Sequence, residues 1–161
     1  MVAKLLRTED DAVLAILRIA LGLVFFAHGV QKLGWLDVYG SNRAIEIVPE
    51  TAGISVLAFL SLAVELLGGL GLILGLFGRI AAFSLAANIF ADIMLVHGRN
   101  GFFMNWLGNQ GGEGVEYHLL ALAITLSVLL NGSGAFSFDQ ALRRRFAAEI
   151  TLPFSVTAAT S

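Results

Sequence analysis

Four long runs of apolar residues dominate the sequence and predict four membrane helices. The runs cover about residues 12–33, 54–77, 80–97 and 115–131. A helix needs about 20 residues to cross the ~30 Å hydrocarbon layer of a bilayer. The first three runs are long enough, whereas the fourth is short and is expected to begin within the interface. The pattern therefore predicts an all-α membrane protein, an up-down-up-down transmembrane four-helix bundle.

The connections between these runs divide the chain into a membrane domain with two flanking segments. The membrane domain covers residues 12–139, the N-terminal segment residues 1–11, and a basic, partly flexible tail residues 140–161. A tight turn joins the second and third runs, and the other two connections are long. Both termini and the tight turn are therefore expected on one side of the membrane, and both long loops on the other.

Positive charge predicts which side faces the cytoplasm. The side of the termini carries more basic residues: Lys4, Arg7, Arg79, Arg143, Arg144 and Arg145. The loop side carries Lys32, Arg43 and Arg99. An excess of Lys and Arg marks the cytoplasmic side, so both termini are expected in the cytoplasm. Aromatic residues in the loops predict an interfacial belt on the outer side: Trp35, Tyr39, Phe102, Phe103 and Trp106.

Composition agrees with a single membrane domain and excludes several kinds of site. The chain is 57% hydrophobic and 14% charged, against about 25% charged residues in soluble domains. A net charge of −2 without a basic stripe argues against a nucleic-acid partner. The absence of cysteine excludes disulfides, cysteine-ligated zinc and iron–sulfur clusters. Because Arg18 interrupts the first run, we expect a retained helix rather than a cleaved signal peptide.

Polar residues inside the apolar runs are the main indication of function. An ionisable residue within a membrane segment costs roughly 2.5–3.5 kcal/mol, so it is expected to face the bundle interior. We expect Arg18 of the first helix to form a buried ion pair with Glu65 of the second. With Asn88 of the third helix, they would form a proton path, or the pair would only clamp two helices together. Asn88 and Asp92 could equally form interhelical hydrogen bonds.

A second set of polar residues is expected at one depth near the outer leaflet: His28, Lys32, Asp92, His97, Glu116 and His118. Three interpretations compete. The first is a quinone pocket, in which imidazole and carboxylate groups bind the quinone carbonyls and carry protons. The second is a metal or haem site, which the lack of i,i+4 spacing between these histidines disfavours. The third is local hydrogen bonding without a ligand. No catalytic residue and no metal ligand is assigned.

Glycine spacing in the second run predicts close helix packing. Gly71 and Gly75 are four residues apart, a spacing that lets a neighbouring helix approach closely. The neighbour would be another helix of this chain, or a second copy of the chain in a homo-oligomer through helix 2.

The sequence resembles the DoxX family of small bacterial membrane proteins. Four blocks carry the resemblance: RIALGLVFFAHGVQKL (Arg18–Leu33), AVELLGGLGLILGLFGR (Ala63–Arg79), GGEGVEYHLLALAITLSVLL (Gly111–Leu130) and GSGAFSFD (Gly132–Asp139). The positions carried over from the family are Arg18, His28, Gly29, Lys32, Glu65, Gly69, Asp92, Glu116 and His118. The resemblance implies a four-helix protein of the bacterial inner membrane. Family members are described as subunits or partners of membrane oxidoreductases, one of them a thiosulfate:quinone oxidoreductase.

The expected function is that of a quinone-interacting component of a membrane oxidoreductase system. Quinone is the expected cofactor, and the lipid bilayer and a soluble or membrane redox protein are the expected partners. Two alternatives remain at this point. One is a non-catalytic membrane anchor or scaffold for a redox partner, and the other is a transporter of small solutes or protons.

Overall fold

The computed structural model describes residue 8, residues 10–33 and the backbone of residues 52–151, with side chains at 8, 10–33 and 56–145. Five α-helices lie within these residues: α1 (Ala12–Lys32), α2 (Ala52–Leu74), α3 (Gly78–Asp92), α4 (Glu116–Asn131) and α5 (Phe138–Thr151). The predictions for Trp35, Tyr39 and Arg43 concern the first long loop and lie outside the described residues. So do those for most of residues 1–11 and for residues 152–161.

The all-α class and the four membrane helices are confirmed. α1 and α2 are long and apolar enough to cross a membrane. α3 reaches that length because it continues through a π-helical turn (Ile93–His97) and a 3₁₀ turn (Gly98–Asn100). α4 has 16 residues and a length of about 24 Å, so it is the short helix that the sequence predicts. α5 was not predicted as a helix.

The first four helices form a closed bundle. α1 packs against α2 and α4, and α3 packs against the same two helices. The core between them includes Leu72, Leu85, Ile89 and Val128, each at most 1% exposed. Many large apolar side chains cover the outside of the bundle, where a bilayer would surround them: Val13, Ile16, Phe59, Leu67, Phe83, Phe90, Leu120 and Leu130.

Glycines set the close approach of α1 and α2. A Cβ atom on Gly69 would lie 2.6 Å from the backbone nitrogen of Phe26, and one on Gly22 would lie 2.8 Å from the Gly69 carbonyl oxygen. On the other side of α2, a Cβ on Gly71 would lie 3.2 Å from Ala81 of α3. The chain thus uses these glycines for packing within one bundle. A homo-oligomer through helix 2 stays a prediction and would have to use other residues.

The turn between α2 and α3 covers residues 75–77, just before the predicted position at residues 78–79. α2 ends at Leu74 because Gly75 has a φ of +63°, and α3 begins at Gly78 after Phe77, which has a φ of +49°. A Cβ on Gly75 would lie 2.4 Å from the Cβ of Ser137, so only glycine fits where the segment before α5 crosses the turn.

Candidate functional site

Arg18 is fully buried at the end of the bundle that holds Asp11 and the start of α5, here called the terminal end. Its guanidinium donates hydrogen bonds to the carbonyls of Leu72 and Ile73 at the C-terminus of α2. It also donates to Ala135 at 3.2 Å and Phe136 at 3.4 Å, in the segment between α4 and α5. The last carbonyls of a helix lack intrahelical partners and carry partial negative charge, so they suit a buried cation.

Asp139 supplies the negative charge at the same end. Its carboxylate is 1% exposed and accepts hydrogen bonds from the backbone nitrogens of Phe77 at 2.8 Å and Gly78 at 2.9 Å. The hydroxyl of Ser133 donates to it at 2.6 Å. Asp139 therefore caps the N-terminus of α3, and it is also the carboxylate that acts electrostatically on Arg18. We call these two residues with Ser133 the Arg18–Asp139 cluster.

The predicted ion pair between Arg18 and Glu65 is wrong. Arg18 lies level with the last turn of α2, whereas Glu65 lies nine residues earlier in that helix, more than two turns away. The Glu65 carboxylate instead accepts a hydrogen bond from the ammonium group of Lys32, with Nζ and Oε1 2.6 Å apart. Glu65 therefore belongs to the outer set of polar residues and not to the set that contains Arg18.

Polar side chains from all four membrane helices lie at the opposite end, and we call them the outer polar cluster. Its members are Lys32, Ser61, Glu65, Asp92, His97, Tyr117 and His118. The Ser61 hydroxyl accepts from Lys32 at 3.0 Å and donates to Glu65 at 3.4 Å. Glu65 is only 4% exposed, and its Oε2 atom has no hydrogen-bond partner among the described residues.

Two histidine side chains form the other half of the outer polar cluster. The rings of His97 and His118 are 4.3 Å apart between centroids and tilted by 40°. His97 Nδ1 lies 2.9 Å from the carbonyl oxygen of Glu113. Because a carbonyl only accepts, Nδ1 carries the proton that it donates to Glu113. His118 is 7% exposed, and the Gly114 backbone is the hydrogen-bonding group that acts on its ring.

The π-helical turn positions His97 within the outer polar cluster. A π-helical turn holds one residue more per hydrogen-bonded ring than an α-helix, so it changes the direction of the side chains that follow. Here it covers Ile93–His97, directly after Asp92. Such turns inside α-helices occur frequently at functional sites.

Tyr117 joins the two halves of the outer polar cluster and was missed in the sequence. Its ring meets that of His118 edge-on, with centroids 5.5 Å apart, and Glu65 is the charged group that acts on its hydroxyl. The hydroxyl is buried without a partner among the described residues. Its position beside His118 in the first turn of α4 was the available signal. Asp139 was also missed, although small polar residues surround it in GSGAFSFD.

Three other predicted residues, Asn88, Asp92 and Glu116, make contacts within or near the outer polar cluster. The Asn88 amide donates to Asp92 one turn further along α3, at 3.3 Å, and the proton path through Asn88 stays a prediction. Asp92 acts electrostatically on His118. Glu116, at the start of α4, accepts a hydrogen bond from the Trp106 indole at 3.4 Å.

His28 does not line the predicted pocket. Its side chain is exposed and has no hydrogen bond or ring contact with the described residues of the cluster. The next residue, Gly29, packs against Leu66 of α2. Successive residues of a helix are about 100° apart, so His28 is directed away from that contact.

The described side chains of the outer polar cluster offer hydrogen-bonding and proton-carrying groups. Within the described ranges, no three His, Asp or Glu side chains are arranged to hold a metal ion. Glu65 Oε2 and Tyr117 Oη are two buried polar atoms without partners in the described residues, contributed by α2 and α4. Buried polar groups in native proteins nearly always have a partner, so these two atoms keep a hydrogen-bonding capacity that a ligand could use.

Known proteins resemble this chain over most of its length. The sequence profile of the DoxX family matches residues 13–99. An uncharacterized membrane protein of Mycobacterium tuberculosis is 31% identical over 149 residues, which cover 88% of each chain. The Bacillus subtilis protein named "Putative oxidoreductase CatD" is 27% identical over 124 residues, 77% of this chain and 82% of that protein. No solved structure matches the chain significantly. Together with the four-helix fold, these similarities show that the chain belongs to the DoxX family of membrane proteins.

Proposed function

We propose that this protein binds a quinone at the outer polar cluster and serves as a component of a membrane oxidoreductase system. The observation that supports the proposal most directly is the presence of two buried polar atoms, on Glu65 and Tyr117, that have no partner among the described residues. A ligand that both accepts and donates hydrogen bonds would satisfy them, because a quinone carbonyl can accept from the Tyr117 hydroxyl and a quinol hydroxyl can donate to Glu65 Oε2. The name of the Bacillus subtilis relative, which describes an oxidoreductase, is consistent with this proposal.

The chemistry of the cluster suits a quinone headgroup. Quinone carbonyl oxygens accept hydrogen bonds, which the Tyr117 hydroxyl and a protonated His118 nitrogen can donate. Reduction of a quinone to the quinol takes up two electrons and two protons. Glu65 and His118 are titratable groups that can transfer the protons. The electrons would come from a redox partner, since a chain without cysteine has no thiol with which to supply them.

A lipophilic ligand could reach the cluster from the bilayer. Asp92 and His97 are half-buried, and the residues between them, Met94, Leu95 and Val96, expose large apolar surfaces on the outside of the bundle. The approach is therefore apolar and ends at polar groups, a combination that is typical of small-molecule sites.

The proposal is tested by thermal unfolding of the purified protein in detergent with a short-chain quinone. A ligand at 100 times its Kd stabilises a folded protein by about 2.7 kcal/mol, so the melting temperature of the wild type should rise with quinone concentration. Tyr117→Phe removes one hydroxyl donor and should weaken quinone binding about tenfold. His28→Ala is the control, because His28 is an outer histidine that lies outside the cluster.

Two results would contradict quinone binding at this site. One is a wild-type melting temperature that does not respond to quinone, which would favour the anchor or scaffold function. The other is an equal loss of affinity in Tyr117→Phe and His28→Ala, which would show that the cluster does not hold the ligand.

A further inference from the structure

The loop between α3 and α4 is closed by backbone hydrogen bonds between its two ends. The backbone nitrogen of Val115 donates to the Gly101 carbonyl at 3.2 Å, and that of Glu116 donates to the Phe102 carbonyl at 2.9 Å. A Cβ atom on Gly114 would lie 2.6 Å from the Phe102 carbonyl oxygen, so the two ends approach too closely for a side chain at that position. The loop therefore has a defined shape where it meets the outer polar cluster.

Two consecutive residues at the end of this loop hold both histidine rings of the outer polar cluster. The Glu113 carbonyl accepts from His97 Nδ1 at 2.9 Å, and the Gly114 backbone is the hydrogen-bonding group that acts on His118. The Asn100 amide donates a second hydrogen bond to the same Glu113 carbonyl at 3.0 Å. The position of these two peptide groups therefore decides how the histidine pair is oriented.

The side chain of Glu113 ties the end of the loop to its middle. Its Oε2 atom accepts a hydrogen bond from the backbone nitrogen of Asn105 at 2.6 Å. The Asn105 side chain in turn donates to the Gln110 carbonyl at 3.2 Å and accepts from the Gln110 backbone nitrogen at 3.0 Å. A carboxylate makes stronger hydrogen bonds than a neutral acceptor, so the contact between Glu113 and Asn105 is well suited to fix the loop.

From these contacts we propose that Glu113 is the positioning residue of the quinone site. Its carboxylate fixes the loop, and its carbonyl accepts the Nδ1 proton of His97, so that Nε2 is the ring nitrogen that meets the ligand. The hydrogen bond of one imidazole nitrogen commonly decides which nitrogen is left for function. This inference rests on the proposed quinone binding at the outer polar cluster and adds the group that orients one of its histidines.

The first test is nitrogen NMR of isotope-labelled histidine rings in the full chain, with the His97 signals identified by their absence in His97→Ala. At a pH where the ring is neutral, the wild type should show His97 protonated at Nδ1. Glu113→Ala should lose this preference, because the loop no longer holds the carbonyl in place. Glu113→Gln should keep it, since an amide oxygen can still accept from the Asn105 nitrogen.

Gln110→Ala is the matched control in the same loop. The hydrogen bonds between Gln110 and Asn105 use the backbone of Gln110, so removal of its side chain leaves them in place. The tautomer of His97 should therefore be the same in Gln110→Ala as in the wild type.

The second test is the Kd of a short-chain quinone, obtained from melting temperatures in detergent at increasing quinone concentrations. Glu113→Ala should raise the Kd roughly fivefold, the effect of about one hydrogen bond to the ligand, and Glu113→Gln and Gln110→Ala should not raise it. In a His97→Ala background, Glu113→Ala should cause no further loss of affinity, because a positioning residue acts through the residue that it holds.

Two results would overturn the assignment of Glu113. One is an unchanged His97 tautomer in Glu113→Ala. The other is additive losses of affinity in Glu113→Ala and His97→Ala, which would mean that Glu113 supports the site by another route. A wild type that binds no quinone would refute the function on which the inference rests, and the NMR signals distinguish that failure from a failure of Glu113 to hold His97.

Discussion

At the scale of single residues, Arg18 shows how a cation can be stabilised in a membrane helix by backbone carbonyls. Its nearest acceptors are carbonyls from two different segments, and its opposing charge, Asp139, also caps α3. Hydrogen bonds to a charged group contribute about 1.5–3 kcal/mol each, so this arrangement offsets much of the cost of burial. The sequence identified Arg18 as important because a charge in an apolar run needs a partner, but it did not identify the partner.

Substitutions that disrupt the Arg18–Asp139 cluster should be more destabilising than loss of the Glu65 charge. Each substitution removes a buried charged group and leaves its backbone hydrogen-bond partners unsatisfied, so we expect a loss of about 1–3 kcal/mol for Arg18→Met and for Asp139→Asn. Glu65→Gln should cost no more than about 1 kcal/mol, because Lys32 remains partly exposed. Unfolding in detergent–SDS titrations measures all three. A larger loss for Glu65→Gln than for Asp139→Asn would contradict the assignment of partners.

The residue types of the candidate site were easier to predict than its contacts. Lys32, Asp92, His97 and His118 were expected near one depth, and the structure brings all four into the outer polar cluster. His28 was misplaced because the order of residues on a helix does not tell which face a neighbouring helix will cover. Tyr117 was overlooked because a tyrosine at a membrane interface is common.

At the scale of elements, the bundle depends on how closely α1 and α2 approach. The crossing of these helices is tight at Gly22 and Gly69, where each glycine meets the backbone of the opposite helix. A backbone atom cannot move aside as a flexible side chain can. The interface therefore has room for hydrogen at these positions and not for a methyl group.

We expect Gly69→Ala to destabilise the bundle. The added Cβ would lie 2.6 Å from the backbone nitrogen of Phe26, and overpacking of a well-packed interface typically costs about 1–3 kcal/mol. Gly111→Ala is the matched control, since a Cβ there would have no heavy atom within 4 Å. Melting temperatures in detergent measure both changes. Equal melting temperatures for the two variants would show that α1 and α2 do not approach each other as closely at Gly69 as the structure describes.

The elements themselves were predictable to different degrees. The four membrane helices follow from the length of the apolar runs, and their bounds agree to within a few residues. The π-helical turn could not be predicted, because sequence periodicity assumes a constant number of residues per turn. α5 was interpreted as a basic tail, since Arg143, Arg144 and Arg145 dominate its middle and no long apolar run accompanies them.

At the scale of the whole molecule, the structure places several parts of the chain at one end. Thr8 exchanges hydrogen bonds with Gly134, and the Asp11 carbonyl accepts from Ala135 at 3.0 Å. The turn between α2 and α3 meets Asp139 at the same end. The loop between α3 and α4 lies at the opposite end, near His97. The excess of basic residues predicts that the terminal end faces the cytoplasm.

Cysteine labelling in whole cells tests this orientation. The chain has no cysteine, so an introduced one is unique. We expect a membrane-impermeant maleimide to label Gly111→Cys in intact spheroplasts, and Arg145→Cys only after permeabilisation, because these exposed positions lie at opposite ends. Labelling of Arg145→Cys alone in intact spheroplasts would reverse the orientation.

The contacts of Arg18 also bear on how the protein is made. During synthesis, α1 enters the membrane when residues 135–139 have not yet been translated, so Arg18 lacks two of its carbonyl acceptors and its opposing carboxylate. The growing chain must keep this arginine near the insertion machinery or at the interface until the last quarter of the sequence emerges. Nascent chains that stop before Ala135 would expose an unsatisfied charge in the bilayer, a feature by which membrane proteases could select them for degradation.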